Sequence, residues 1–375
     1  MPPLEIEKAV KTTFDPYEVS MYDIIIAGGG PAGATLARLT GKRYKVLVLE
    51  KRTFADDMEF SGQKSCGGLL DPDAQRMLAG FGLGIPKSVL VSPQLFAVRT
   101  IDIKSGVERY YQRHYINIDR NEFDRWLEAI IPPCVDIING GIFKSFEEKD
   151  GHISVKFHHN GRECEETARL LVGADGAFSG VRRQCFAGMD TPRLYVSIQE
   201  WFRTNDAKNY YGAIFDEDIT DFYSWTIPKE DQIILGSALV PGKDVQERFE
   251  LLKKKLERYG FHFENSIRKN GAYLYRPVRN SQISIARGRT ALVGEAAGFI
   301  SPSSAEGMSY AFKSALALAR ALEAGIDDYL PRYCDNIASV KRNILLKNLK
   351  SPAMYNGLLR KIAMKSGLLS IDIVE

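Results

Sequence analysis

The sequence predicts a two-domain α/β protein, with a doubly wound parallel sheet read from both ends of the chain and an antiparallel sheet inserted between them. Three observations carry this prediction. A strand, glycine loop, helix and second strand follow one another from Tyr22 to Glu50. Two later strands, in Leu170–Gly176 and Arg289–Gly298, run into small-residue turns. Between about 192 and 280 aromatic residues alternate with polar ones, the period-two pattern of strands with one covered face.

Composition narrows the class before any motif is read. A chain of 375 residues buries enough surface to fold without disulfides or metal staples. Its 45% hydrophobic and 26% charged residues are those of a globular protein, which excludes disorder and coiled coil. A net charge of +3 gives no electrostatic footprint for nucleic acid. The five cysteines are odd in number and scattered, with no paired spacing, so no metal site is expected and a reducing, cytoplasmic setting is. The most apolar long stretch, 307–326, carries Lys313, Arg320 and Glu323 and reads as a buried or amphipathic helix. Residues 1–20 hold Glu5, Glu7 and Lys8 without an apolar core; they are expected to be an extension ahead of the fold and not a signal peptide.

The first unit is the most informative. Tyr22–Ala27 is a β-branched run expected to be a buried strand, Ala34–Lys42 a helix and Tyr44–Glu50 a second strand. Between them, Gly28-x-Gly30-x-x-Gly33 has the spacing of a dinucleotide-binding loop. Gly28 permits the tight turn, Gly30 lets backbone approach a pyrophosphate, and Gly33 lets helix and strand pack closely. The helix N-terminus offers N–H donors and a positive dipole. Glu50, 20 residues after Gly30, can accept from ribose hydroxyls, which favours FAD or NAD over NADP. Ala32 and Lys51 complete the expected contacts of this Rossmann-like unit. Gly82-x-Gly84-x-x-Lys87 lacks the third glycine, so no second nicotinamide fingerprint is present.

Three motifs in order, Gly28–Gly33, Gly173–Gly176 and Gly294–Gly298, resemble those of FAD-dependent enzymes with the p-hydroxybenzoate-hydroxylase-like fold. Lys64-Ser-Cys-Gly-Gly68 and Tyr223-Ser-Trp-Thr-Ile-Pro-Lys229 are similar to the Cys-Gly-Gly loop and Tyr-x-Trp-x-Phe-Pro motif of the geranylgeranyl reductase family, with Ile227 in place of the phenylalanine. Within that family the chain resembles the CbrA-type branch of bacterial flavoproteins, over roughly residues 22 to 330.

The resemblance implies a set of roles. Glu295 takes the place of an aspartate that bonds the flavin's ribityl chain, and Gly307 and Met308 open the helix that meets the ring. Arg120 matches an arginine that contacts FAD, and Asp175 with Gly176 forms the middle motif near the cofactor. Cys66 and Gly67 lie beside the flavin, with Cys66 a candidate gate, proton donor or redox-active thiol. Tyr223 and Trp225 face one side of a strand and offer an aromatic wall for a greasy substrate. The implied reaction is hydride transfer from reduced FAD to a carbon–carbon double bond of an isoprenoid-like, apolar substrate, with Cys66, Tyr223 or an ordered water supplying the proton. Transient NAD(P)H or a ferredoxin-like protein is the expected electron donor.

Two other readings share these residues. A flavin monooxygenase uses the same fold, and Lys64 with Tyr223-x-Trp225-x-Ile-Pro228 comes near a halogenase pattern. An electron-transfer flavoprotein without a small substrate is the third. The expected partition has residues 21–90, 111–190 and 282–335 in the FAD-binding domain and 91–110 and 191–281 in the substrate domain. Residues 336–375 are expected to form a basic helical tail, either a cap over the substrate domain or a peripheral membrane contact.

Overall fold

A computed structural model describes residues 21–53, 66–206 and 208–373. Residues 1–20 and Lys64 therefore lie outside the described residues. The eight α-helices among those described are α1 (Pro31–Thr40), α2 (Pro72–Gly80), α3 (Arg120–Ala129), α4 (Gly180–Cys185), α5 (Val245–Leu256), α6 (Met308–Leu322), α7 (Tyr329–Tyr355) and α8 (Gly357–Lys365).

The first sheet has eight strands. Thr290–Leu292, Arg162–Gly173, Tyr22–Ala27, Val46–Glu50 and Asp136–Asn139 lie side by side in that order, all parallel. Ile24 sits between Val46 and Leu170 in register. All five residues of Val46–Glu50 are buried, because the sheet is covered on both faces. Ile142–Lys149 and His152–His159 extend it antiparallel along the first half of Arg162–Gly173, a meander not expected from the sequence.

The second sheet has nine strands, and its central ones come from the inserted segment. Arg193–Arg203, Gln232–Leu239, Ser224–Lys229 and Tyr211–Phe215 pair antiparallel in sequence. Leu95–Asp102 joins the last of these in parallel. Trp225 lies opposite Gly236, where a Cβ atom would come within 2.2 Å of the indole. The glycine therefore makes room for the ring on the neighbouring strand. Pro228 is tolerated because the pairing with Tyr211–Phe215 ends at Thr226, so its missing N–H breaks no bond on that side.

Three boundaries differ from those read in the sequence. α1 starts at Pro31, which suits the first helical position since its absent N–H has no intrahelical partner there. Val107–Asn117 is one strand of the second sheet, so residues 111–117 belong with the substrate sheet and not with the FAD-binding part. Its antiparallel pairing with Leu95–Asp102 through a tight turn keeps the hairpin in one piece. The C-terminal segment is not all helix: α7 begins before residue 336, and Ser370–Ile371 adds a short strand beside Tyr110 and Tyr111. No helix among the described residues is long and apolar enough to cross a membrane.

Candidate functional site

The glycine loop is built as its spacing implies. Gly28 has φ +106°, and a Cβ there would lie 2.5 Å from the Ala174 carbonyl oxygen. A Cβ on Gly33 would lie 1.9 Å from the Gly28 carbonyl oxygen, so only glycine lets α1 sit this close to its strand. Gly30 is different, because a Cβ there would have nothing within 4 Å. That glycine is not needed for packing; it borders open space at the helix N-terminus. α1 has no side-chain cap and no acidic residue in its first turn, which leaves its N–H groups and dipole to an anionic ligand. Ala32 packs under Gly294, and Gly176 (φ +79°) borders open space as Gly30 does.

Glu50 ends its strand beside this loop. Its Oε2 accepts from Gly29 N–H at 2.8 Å, and its Oε1 accepts from the Arg52 backbone and Nε at 2.9 Å. Burial raises the Glu50 carboxyl, but the bonds and charge of Arg52 outweigh it and hold the group below its usual range. Lys51 points the other way and is exposed, as strand alternation requires.

From Glu50 a buried ionic chain runs to the cysteine loop. Arg52 Nη1 donates to Asp124 Oδ2 at 2.7 Å, and Arg120 Nε donates to Asp124 Oδ1 at 2.7 Å. Arg120 and Asp124 share one face of α3, four residues apart. The Arg120 guanidinium lies beside Cys66, which lines the same cavity. Nothing in the sequence marks Arg52 or Asp124 as site residues, although Arg52 lies two residues past Glu50 on the same side of the chain.

The two marks of the reductase loop and the aromatic strand meet in space. A Cβ on Gly67 would lie 2.3 Å from Ile227 Cδ1, so the cysteine loop rests directly on the aromatic strand. Lys229, at the end of that strand, is part-buried. Its Nζ donates to Gly68 O at 3.1 Å, Asn117 Oδ1 at 2.5 Å and Ile118 O at 2.7 Å. Burial pushes the lysine down to about 7, against the opposing pull of Cys66 and Asp119. Three acceptors match the three N–H donors of the ammonium and hold the proton against the burial that weakens its binding. Cys66, Arg120 and Lys229 line a cavity of about 300 Å³ with Ile118, Trp201 and Ile234. Lys229 closes the aromatic motif, but sequence offers no sign that it is buried.

The remaining motifs lie at the starts of α4 and α6. Asp175 Oδ2 accepts from Gly180 N–H at 2.7 Å, while its Oδ1 is buried without a hydrogen-bond partner; burial raises this carboxyl. Glu295 Oε1 accepts from Tyr275 N–H at 3.4 Å, and Gly294 N–H donates to Ser314 on α6 at 2.8 Å. Gly307 caps α6 and Met308 begins it. Glu306 accepts from Ser309 N–H and Oγ at 2.7 and 2.9 Å. Burial, then the nearby Asp71, push its carboxyl up to about 7. Tyr223 and Trp225 have ring centroids 5.4 Å apart in a buried cluster with Phe215, Phe222 and Tyr355. Tyr223 donates its O–H to Ser304 O at 2.6 Å, so its ring and not its proton is presented to the cluster.

The open space at Gly30, the uncapped α1 and the carboxylate at the next strand end fit FAD. Gly28, Gly30, Gly33 and Glu50 would hold its adenosine and phosphates, with Glu295, Gly307 and Met308 toward the flavin end. No group of three or more potential metal ligands occurs among the described residues.

A nucleotide loop of this kind joined to a sheet that covers the opposite side defines a FAD-dependent oxidoreductase of the p-hydroxybenzoate-hydroxylase-like fold. The chain belongs to the family described as FAD binding domain, whose match spans residues 21–248. It is 39% identical to the protein CbrA of Escherichia coli O139:H28 over 350 residues, 93% of this chain and 98% of that protein. Its fold resembles a geranylgeranyl bacteriochlorophyll reductase-like protein from Thermoplasma acidophilum, with a TM-score of 0.74 at 20% identity over 92% of this chain and 90% of that one. It also resembles PqsL of Pseudomonas aeruginosa, described as a probable FAD-dependent monooxygenase, with a TM-score of 0.69 at 18% identity over 93% and 99%.

Proposed function

We propose that this protein reduces a carbon–carbon double bond of an apolar, isoprenoid-like substrate, as a CbrA-type member of the geranylgeranyl reductases. The observation that supports this reading is the contact between the Cys66–Gly68 loop and the Tyr223–Lys229 segment, at Gly67 with Ile227 and at Gly68 with Lys229. It sets a thiol, a proton-bearing amine and an aromatic wall at one place. Bound FAD supplies the hydride chemistry. The protein's own part is to exclude water with Trp225, Ile227 and Trp201 and to hold a proton at Lys229 Nζ or Cys66 Sγ. A general acid poised near neutrality suits protonation of the second carbon. Electrons arrive from a transient donor, a nicotinamide or a ferredoxin-like protein.

The test is an anaerobic one. Chemically reduced holoprotein is mixed with geranylgeranyl alcohol or its diphosphate, and flavin reoxidation is followed with mass analysis of the lipid. Reoxidation that depends on the lipid, with a product richer by two hydrogens, is expected. Reoxidation that depends only on oxygen, with peroxide or an oxygenated product, replaces this reading with the monooxygenase.

A further inference from the structure

The end of the chain carries an apolar surface that the fold leaves uncovered. Of the nineteen large apolar side chains exposed among the described residues, nine lie between Leu345 and Ile373. The four most exposed of all are Leu349, Leu358, Leu368 and Leu369, at 79, 68, 73 and 81%. Scattered exposed leucines need no explanation, but this concentration does.

These leucines do not belong to a loose tail. α7 buries Ile337, Val340 and Ile344 against the body. α8 is pinned by Arg360, which is buried and ion-paired with Asp102 at 3.2 Å and Glu217 at 2.9 Å. Ser370–Ile371 then pairs with Tyr110 and Tyr111. The backbone is fixed on the inner side, and the leucines are held outward by it. Leu368 and Leu369 form the tip of the turn after α8, where Leu369 has φ +63°. A left-handed position ordinarily goes to Gly or Asn, so an aliphatic tip there is costly for the fold alone.

Charge decides what covers the surface. From residue 336 to 373 the one acid is Asp372, against seven Lys and Arg. Arg360 is satisfied internally, and Lys347 lies over the Tyr310 ring near Glu306, Asp71 and Asp73. Lys341, Arg342, Lys350, Lys361 and Lys365 remain interleaved with the leucines. A second copy of the chain would bring like charges face to face, whereas an anionic bilayer accepts both leucine and lysine. The surface also adjoins the aromatic cluster. Met354 and Tyr355, in the last turn of α7, pack on that cluster, Tyr355 against Phe215 and Phe222, and the Tyr355 O–H donates to Ser303 O at 2.7 Å.

We propose that residues 345–373 are a membrane-docking face that seats the protein on an anionic lipid surface, without crossing it, beside the aromatic chamber. This stands independently of the reaction proposed above, since binding is read without turnover.

The experiment is flotation of the FAD-loaded full chain with phosphatidylcholine vesicles, with and without phosphatidylglycerol, at low and high salt. Binding is expected only with phosphatidylglycerol and is weakened by salt, since surface charge is screened over about 10 Å at 0.1 M. The double variant Leu368→Glu/Leu369→Glu and, separately, Leu349→Glu are expected to bind at least about tenfold more weakly, with wild-type flavin content and elution volume. Absence of flotation, equal flotation with neutral vesicles, or undiminished binding by both variants overturns the proposal. So does a dimer, seen by light scattering, that the leucine variants dissolve while the wild type stays off the vesicles.

Discussion

Tyr223 donates its hydroxyl to the Ser304 carbonyl oxygen at 2.6 Å, across 81 residues of sequence. One bond thus ties the aromatic strand of the second sheet to the loop that leads into α6. Burial raises the phenol well above its ordinary value, so it remains a donor at any working pH. Tyr223→Phe keeps the ring and leaves a buried carbonyl short of one partner. The variant is expected to lose about 1–3 kcal/mol of folding stability in denaturant unfolding, with turnover falling less than about tenfold. A far larger loss of turnover at unchanged stability would make the Tyr223 proton part of the chemistry.

Gly30 separates packing from ligand contact within a single loop. Because a Cβ at this position meets no protein atom, Gly30→Leu is expected to fold with wild-type circular dichroism. It should lower FAD affinity by at least about tenfold, measured as flavin absorbance per protein after purification. Gly33→Leu, by contrast, collides with the Gly28 carbonyl and should fail to fold. Full flavin loading in Gly30→Leu would contradict the placement of the phosphates.

Lys229 makes stability depend on pH in a definite direction. The unfolded side chain titrates near 10.5 and the buried one at about 7, so between these values the unfolded chain binds more protons. Stability from this group therefore rises with pH through that window. Below about 7 both states are protonated, and the cost of the buried charge is present in full. Lys229→Met removes the slope. Its stability relative to wild type should be most favourable at pH 7 and fall by on the order of a few kcal/mol toward pH 10. Parallel stability curves for the two proteins would show that the lysine titrates normally.

Cys66 lines one cavity with Arg120 and Lys229, two part-buried cationic side chains. Cys66→Ser is nearly isosteric and keeps the glycine-shaped backbone at Gly67 and Gly68. FAD content is expected to stay at wild-type level, with turnover, product saturation or flavin reoxidation changed at least severalfold, because hydroxyl and thiol differ in acidity and polarisability. Identical kinetics at identical flavin occupancy would leave Cys66 a loop-filling residue.

The nucleotide loop was legible because its causes are local. Gly28, Gly30 and Gly33 sit within six residues, and the constraints on them come from one turn and one helix start. Glu50 follows at the end of the next parallel strand, a distance set by the length of a strand–helix–strand unit. The aromatic strand was legible for the same reason, since alternation places Tyr223 and Trp225 together wherever that strand lies. Tertiary structure alone decided the rest. Glu50, Arg52, Asp124, Arg120 and Cys66 come together only because the fold brings α3 to the end of the second strand and the cysteine loop to α3. The burial that turns Lys229 from a surface base into a group near neutrality depends on Gly68, Asn117 and Ile118, more than a hundred residues away. Desolvation and ion pairing belong to the space between distant segments, and no spacing along the chain encodes them.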